Sequence, residues 1–158
     1  MTRLGPDEVA MLVCAHRGEL ARIWREARAI ARAHVFPGLI DGIVEPFLEA
    51  CGGVLTARGK PEEVWPSLHG VVRSPPTPIG EVHREWALLG EVLAAATDAV
   101  PCEKEARAWL KGAVSDCRYG MANVLAGLER CPPGMVVAVL FSPFVPPRIR
   151  QERKATDA

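Results

Sequence analysis

The chain has 158 residues, which fits one domain, and 49% of them are apolar, enough to bury a sizeable core. Its 19 Lys and Arg balance 19 Asp and Glu, so no global charge draws it to nucleic acid or to an anionic membrane. Near-neutral charge leaves room for self-association, and the excess of Ala, Leu, Glu and Arg over β-branched and aromatic residues favours helix over sheet.

Pro6, Asp7 and Glu8 open a first helix, with proline in its first turn and acids at the positive end of the dipole. Val9, Val13, His16, Leu20, Ile23, Ala27, Ile30 and His34 step by fours and threes, which predicts one continuous helix to about residue 35. Trp24 flanks that face. Arg17, Arg25, Arg28 and Arg32 lie opposite and read as a solvated arc with local partners such as Glu19 and Glu26, the less common reading being an anion-facing surface.

Phe36-Pro37-Gly38 breaks the chain, and a second helix is expected from Pro37 or just after it. Its stripe is Ile40, Val44, Phe47, Cys51 and Val54 or Leu55. Pro46 lies inside and should kink it, while Gly52-Gly53 weakens its far end. Arg58-Gly59-Lys60 is a stop. Pro61-Glu62-Glu63 starts a short helix carrying Val64, Leu68 and Val71, followed by the stiff connector Ser74-Pro75-Pro76-Thr77-Pro78.

Residues 79–99 carry the stripe around which the rest is organised: Ile79, Val82, Trp86, Leu89, Leu93 and Ala96. A thinner apolar line, Leu88, Val92, Ala95 and Ala99, runs along the reverse side and marks either a central helix or an interface. Pro101 opens the last helix, whose face is Ala106, Leu110, Ala113, Cys117, Met121, Val124 and Leu128, broadened by Trp109, Val114 and Leu125. Residues 135–141 are a continuous apolar run of strand-like composition, prolonged by Ser142 to Pro147. Such a segment straps the helices or pairs with another copy, and Val137, Val139, Phe141 and Phe144 join Leu88 and Val92 as the expected interaction surface.

Little in the sequence points to catalysis. No Gly-rich phosphate loop, G-x-S-x-G or H-E-x-x-H is present, and no Glu-x-x-His pairs mark a di-iron bundle. His16 and His34 would stand about 27 Å apart on one helix, too far to share a metal. The five cysteines include no C-x-x-C and read as small buried hydrophobes in a reducing compartment. No metal and no cofactor is therefore expected. The N-terminus lacks a signal-peptide cleavage site and no stretch has the length of a membrane span, so a cytoplasmic location is expected. A cysteine enzyme built on Cys117 or Cys51 is the least favoured reading. A ligand pocket between helices near His34, Trp24 or Trp86 is the main alternative to a purely protein-binding role.

The segment Ile79-Gly80-Glu81-Val82-His83-Arg84-Glu85-Trp86-Ala87-Leu88-Leu89 resembles the N-terminal helical domain of RsbT co-antagonist proteins, and similar N-terminal regions of bacterial sensor histidine kinases. Glu81, Val82, Glu85, Trp86 and Leu89 carry the likeness, with His16 to Trp24 similar to the family's first-helix pattern. The resemblance covers roughly residues 8–130. It implies an all-helical input or interaction domain of bacterial signalling and supplies no catalytic residue. Here the Pro75-Pro76 connector departs from the pattern, and no STAS, PAS or kinase module follows. The expectation is an all-α antiparallel helical bundle over residues 1–134, four longer helices and one short one, with an extended apolar segment and charged tail over 135–158. It would act without catalysis by binding a signalling protein, with a homodimer as one possible form.

Overall fold

The computed structural model describes residues 2–31, 38–68 and 79–128, and within them the regular structure is helical, with no strand. In chain order the helices are α1 Pro6–Ala15, α2 Arg17–Ile30, α3 Val44–Thr56, a 3-10 turn Pro61–Glu63, α4 Val64–Ser67, α5 Ile79–Asp98 and α6 Lys104–Leu128. The most extensive packing is between α5 and α6; α1 lies against α3, and α2 bears on α5. None of these helices is long and apolar enough to cross a membrane.

The stripe on α5 goes inside as its spacing requires. Val82, Trp86, Leu89 and Leu93 are buried, and Ile79 and Ala96 pack half-buried at its ends. From α6, Ala106, Leu110, Ala113, Cys117 and Met121 are buried with Val114 and Leu125. Phe47 of α3 meets Trp86 edge-on, with ring centroids 5.2 Å apart and planes at 79°, an arrangement that adds about 1 kcal/mol to the burial of the two rings. The Trp86 indole N–H is taken by Met121 Sδ at 3.4 Å.

The N-terminal helix is not continuous. His16, at φ −101° and ψ 17°, ends α1 and precedes α2. The break lets α1 press on α3 while α2 turns toward α5, and it rotates the buried face. Leu20, Ala21, Trp24 and Arg28 go inside, whereas Ile23 and Ile30 remain exposed. Trp24 offers more apolar area than Ile23 and a polar N–H that finds a partner indoors, so the rotation that buries it wins. Arg28 therefore leaves the solvated arc to which its spacing assigned it.

The second helix also starts later than expected. Residues 39–43 form turns, and α3 begins at Val44. Pro46 then sits in the first turn, where its missing N–H costs no intrahelical bond, so the reason for a kink disappears. Gly52 is a contact point: a Cβ there would lie 3.0 Å from Cys14 Cβ and 3.2 Å from the Ala10 carbonyl oxygen, on α1. At the end of α3, Arg58 N–H donates to Leu55 O and Gly59 N–H to Val54 O, at 2.9 and 2.7 Å. These two bonds close a Schellman turn with Arg58 itself at φ 56°. The short helix is smaller than expected, but Val64 and Leu68 are buried as its pattern implies.

The start of the chain is pinned to the α5–α6 corner. Leu4 N–H donates to Pro101 O at 2.6 Å, and Glu103 N–H donates to Leu4 O at 2.9 Å. His34, Val71, the proline connector, Cys131 and the whole segment 135–158, with Val137, Val139, Phe141 and Phe144, lie outside the described residues.

Candidate functional site

Two features stand out from the packed helices: a charged pair enclosed in the core and an open groove on α5 and α6. The pair is Arg28 of α2 and Glu85 of α5. Arg28 Nη2 stands 3.8 Å from Glu85 Oε2, with the two side chains 5% and 4% exposed. Glu85 Oε1 accepts the Ile40 backbone N–H at 3.0 Å, and the Trp24 indole N–H donates to the Glu85 carbonyl at 3.0 Å. The Arg28 guanidinium lies over the Trp24 ring, 5.3 Å from its centroid, within cation–π range. Burial raises the Glu85 carboxyl above its ordinary value, against the lowering effect of the Ile40 and Leu39 amides and of Arg28; the Glu81 charge adds to the rise. Gly38 closes the cluster from the turn side, since a Cβ there would meet Arg28 Cζ at 2.8 Å and Glu85 Oε1 at 2.9 Å. One acidic side chain thus ties α2, α5 and the turn before α3 together.

Other reactive groups are turned to packing. Burial drives the Cys51 and Cys117 thiols well up, so both are held as uncharged thiols rather than nucleophilic thiolates. Arg118 Nε donates to His83 Nδ1 at 2.9 Å, and the same ring meets Tyr119 edge-on at 5.6 Å. Among the described residues no three His, Cys, Asp or Glu side chains are grouped to hold a metal.

The groove has a volume of about 440 Å³ and runs between α5 and α6. Its floor is Ala87, Gly90, Leu93 and Ala94 from α5 with Leu110 and Val114 from α6. Small residues at 87, 90 and 94 lower the α5 side, and a Cβ on Gly90 would already touch Val114 Cγ1 at 3.4 Å. A second cavity, about 720 Å³, lies at the α5–α6 corner; Asp98, Arg107 and Lys111 line both it and the groove, and Arg3 and Lys104 join its wall. Arg107 is engaged there. It donates to Asp98 Oδ1 at 2.8 Å, to Thr97 O at 3.2 Å and to Cys102 Sγ at 3.0 Å. Among the described residues, the side chains of Arg3, Lys104 and Lys111 make no hydrogen bond or ion pair.

No protein-family model, curated protein or solved structure matches the chain.

Trp24 and Trp86, expected near a ligand pocket, are both fully buried with their N–H groups bonded inside the protein, and neither lines the groove or the corner cavity. Of the motif residues, Glu85, Trp86 and Leu89 are core, while Glu81 pairs with Arg84 at 3.0 Å. Leu88 and Val92 are half-buried, packed against the core on one side. Spacing alone missed Arg28 and the groove. The signals present were Trp24, four residues before Arg28, and the small residues at 87, 90 and 94 beside a leucine stripe.

Proposed function

We propose that the chain is a non-catalytic regulatory module of the bacterial signalling type, cytoplasmic and built as an antiparallel helical bundle, which works by binding another protein. The open groove on α5 and α6 carries this reading. It is an apolar concavity in which Ala94 is exposed and Ala87 and Gly90 are half-exposed, rimmed by charge, on the two helices that pack most closely together. An apolar centre within a polar rim is the general anatomy of a protein-docking face. The likeness of residues 79–89 to the co-antagonist helical domain supports the signalling class. The buried chemistry supports binding over turnover: Glu85 holds backbone and Arg28, and the core thiols stay protonated.

A photo-crosslinking residue in place of Ala94, compared with one in place of Glu49 on α3, tests the reading in the native cell. One discrete protein adduct from position 94, absent from position 49 and lost when Gly90→Arg fills the groove, is the expected result. Equal labelling from both positions, or an adduct indifferent to Gly90→Arg, overturns it.

A second reading is a small-ligand sensor, favoured by a groove volume of about 440 Å³, within the range of small-molecule sites. A compound retained through purification and released by Gly90→Arg, read by native mass spectrometry, would replace the first reading with this one.

A further inference from the structure

The groove is mixed in charge, with Glu91 and Arg118 in its lining, but the cavity at the α5–α6 corner is not. Arg3, Lys104, Arg107 and Lys111 line that cavity, Asp98 is its one acid among the described residues, and Val100, Pro101 and Ala108 add apolar wall. We propose that the corner cavity binds a small molecule carrying a phosphate group, with Lys104, Lys111 and Arg3 as its counter-charges. The site does not depend on what fills the groove.

Pairing is the first observation behind it. Asp98 Oδ1 is taken by Arg107 Nη1 at 2.8 Å, so the one carboxylate is already engaged. Elsewhere the basic side chains find partners within the chain, as Arg22 does with Glu26, Arg25 with Asp41 and Arg118 with His83. Among the described residues those without a partner are Arg3, Arg58, Lys60, Lys104 and Lys111, and three of these five line this one cavity. Cations gathered around one space repel one another until an anion enters, and a ligand that neutralises them gains that relief on binding.

The second observation is a wall set in advance. Arg107 is fixed by Cys102 Sγ, Asp98 Oδ1 and Thr97 O. The backbone bonds of Leu4 with Pro101 and Glu103 bring the Arg3 segment to the same corner, so charges about a hundred residues apart in sequence meet there without a ligand's help.

Size and surroundings select the class of ligand. A volume of about 720 Å³ holds a whole small molecule. The positive region is local: Glu8 and Glu103 stand beside Gly5, Glu105 follows Lys104, and the chain has no net charge. An extended basic face for nucleic acid or an anionic membrane is therefore lacking among the described residues. Three unpaired cations call for more than one negative charge on a single group. A phosphate monoester supplies about two at neutral pH, and lysine meets it as a point charge without needing a planar fork.

The test titrates the full isotope-labelled chain with phenyl phosphate and with benzenesulfonate at constant ionic strength. The two share a ring and differ in charge, about two against one. Phenyl phosphate is expected to give saturable shifts at the amides of Val100, Lys104, Arg107 and Lys111 and to bind about fivefold or more tightly than benzenesulfonate. Lys104→Gln/Lys111→Gln should weaken it about tenfold or more, whereas Lys60→Gln, an unpaired lysine outside the cavity, should leave it unchanged. The substituted lysines are exposed, and an unchanged far-ultraviolet spectrum checks the fold. Arg3→Gln, outside every helix, gives a second variant that should weaken binding in the same direction. Shifts that never saturate, that sodium chloride reproduces, or that survive both the lysine pair and Arg3→Gln reflect surface screening and overturn the proposal. Equal affinity for the two probes overturns it as well. Sedimentation with vesicles of phosphatidylcholine and phosphatidic acid that phenyl phosphate does not compete away assigns the corner to a membrane and also overturns it.

Discussion

Arg28 and Glu85 face each other across 3.8 Å in a core where neither side chain is more than 5% exposed. The pair is long for a hydrogen-bonded bridge, and Glu85 spends its other oxygen on the Ile40 amide. Its net stabilisation is therefore small, but losing one member strands a buried charge.

That asymmetry gives the first prediction. Arg28→Leu should destabilise the chain by about 3 kcal/mol, because the Glu85 charge loses its counterion. Glu85→Gln keeps the carbonyl oxygen for Ile40, so the double variant should cost clearly less than the sum of the single changes. Urea unfolding of the four proteins measures this, and strict additivity would show that the two side chains do not interact.

The same carboxyl sets a pH dependence. Its folded value lies above the ordinary 4.5, so protonation favours the folded state. The contribution is present in full below the unfolded value and is lost as pH rises through the folded one. Wild-type stability, measured by urea midpoints from pH 4.5 upward, should carry a declining component that Glu85→Gln removes. An identical slope in both proteins sinks this assignment.

Adjacent glycines on α3 should respond with opposite signs. Gly53 is exposed and a Cβ there meets nothing within 4 Å, so Gly53→Ala should stabilise by about 0.5–1 kcal/mol through helix propensity. Gly52→Ala drives a methyl against Cys14 and the Ala10 carbonyl, and should destabilise by about 1–2 kcal/mol despite the same gain. Thermal melts distinguish the two, and a shared sign would mean that α1 does not press on Gly52.

Arg58 occupies the left-handed position of the turn that ends α3. Glycine removes the Cβ conflict there, so Arg58→Gly should stabilise by about 1 kcal/mol. A calorimetric midpoint that falls instead would show that the arginine side chain outweighs its backbone strain.

Much of the architecture was legible from local pattern. Steps of three and four from Val82 to Leu93 and from Ala106 to Met121 allow only one buried stripe on each helix, because a solvated alternative leaves tryptophan and leucine in water. Proline and glycine marked the breaks at residues 38, 59 and 101 for equally local reasons of backbone freedom. The break at His16, the burial of Arg28 and the first-turn place of Pro46 were decided by tertiary contact. A helix can turn about its axis at little local cost, and only the neighbour it meets selects the face. Here the Glu85 carbonyl and the space under α5 drew in Trp24, and Trp24 brought Arg28 with it. The groove is likewise a property of the pair: small residues on α5 are unremarkable alone and form a trough only because α6 stands beside them, a relation between distant segments that one-dimensional spacing does not encode.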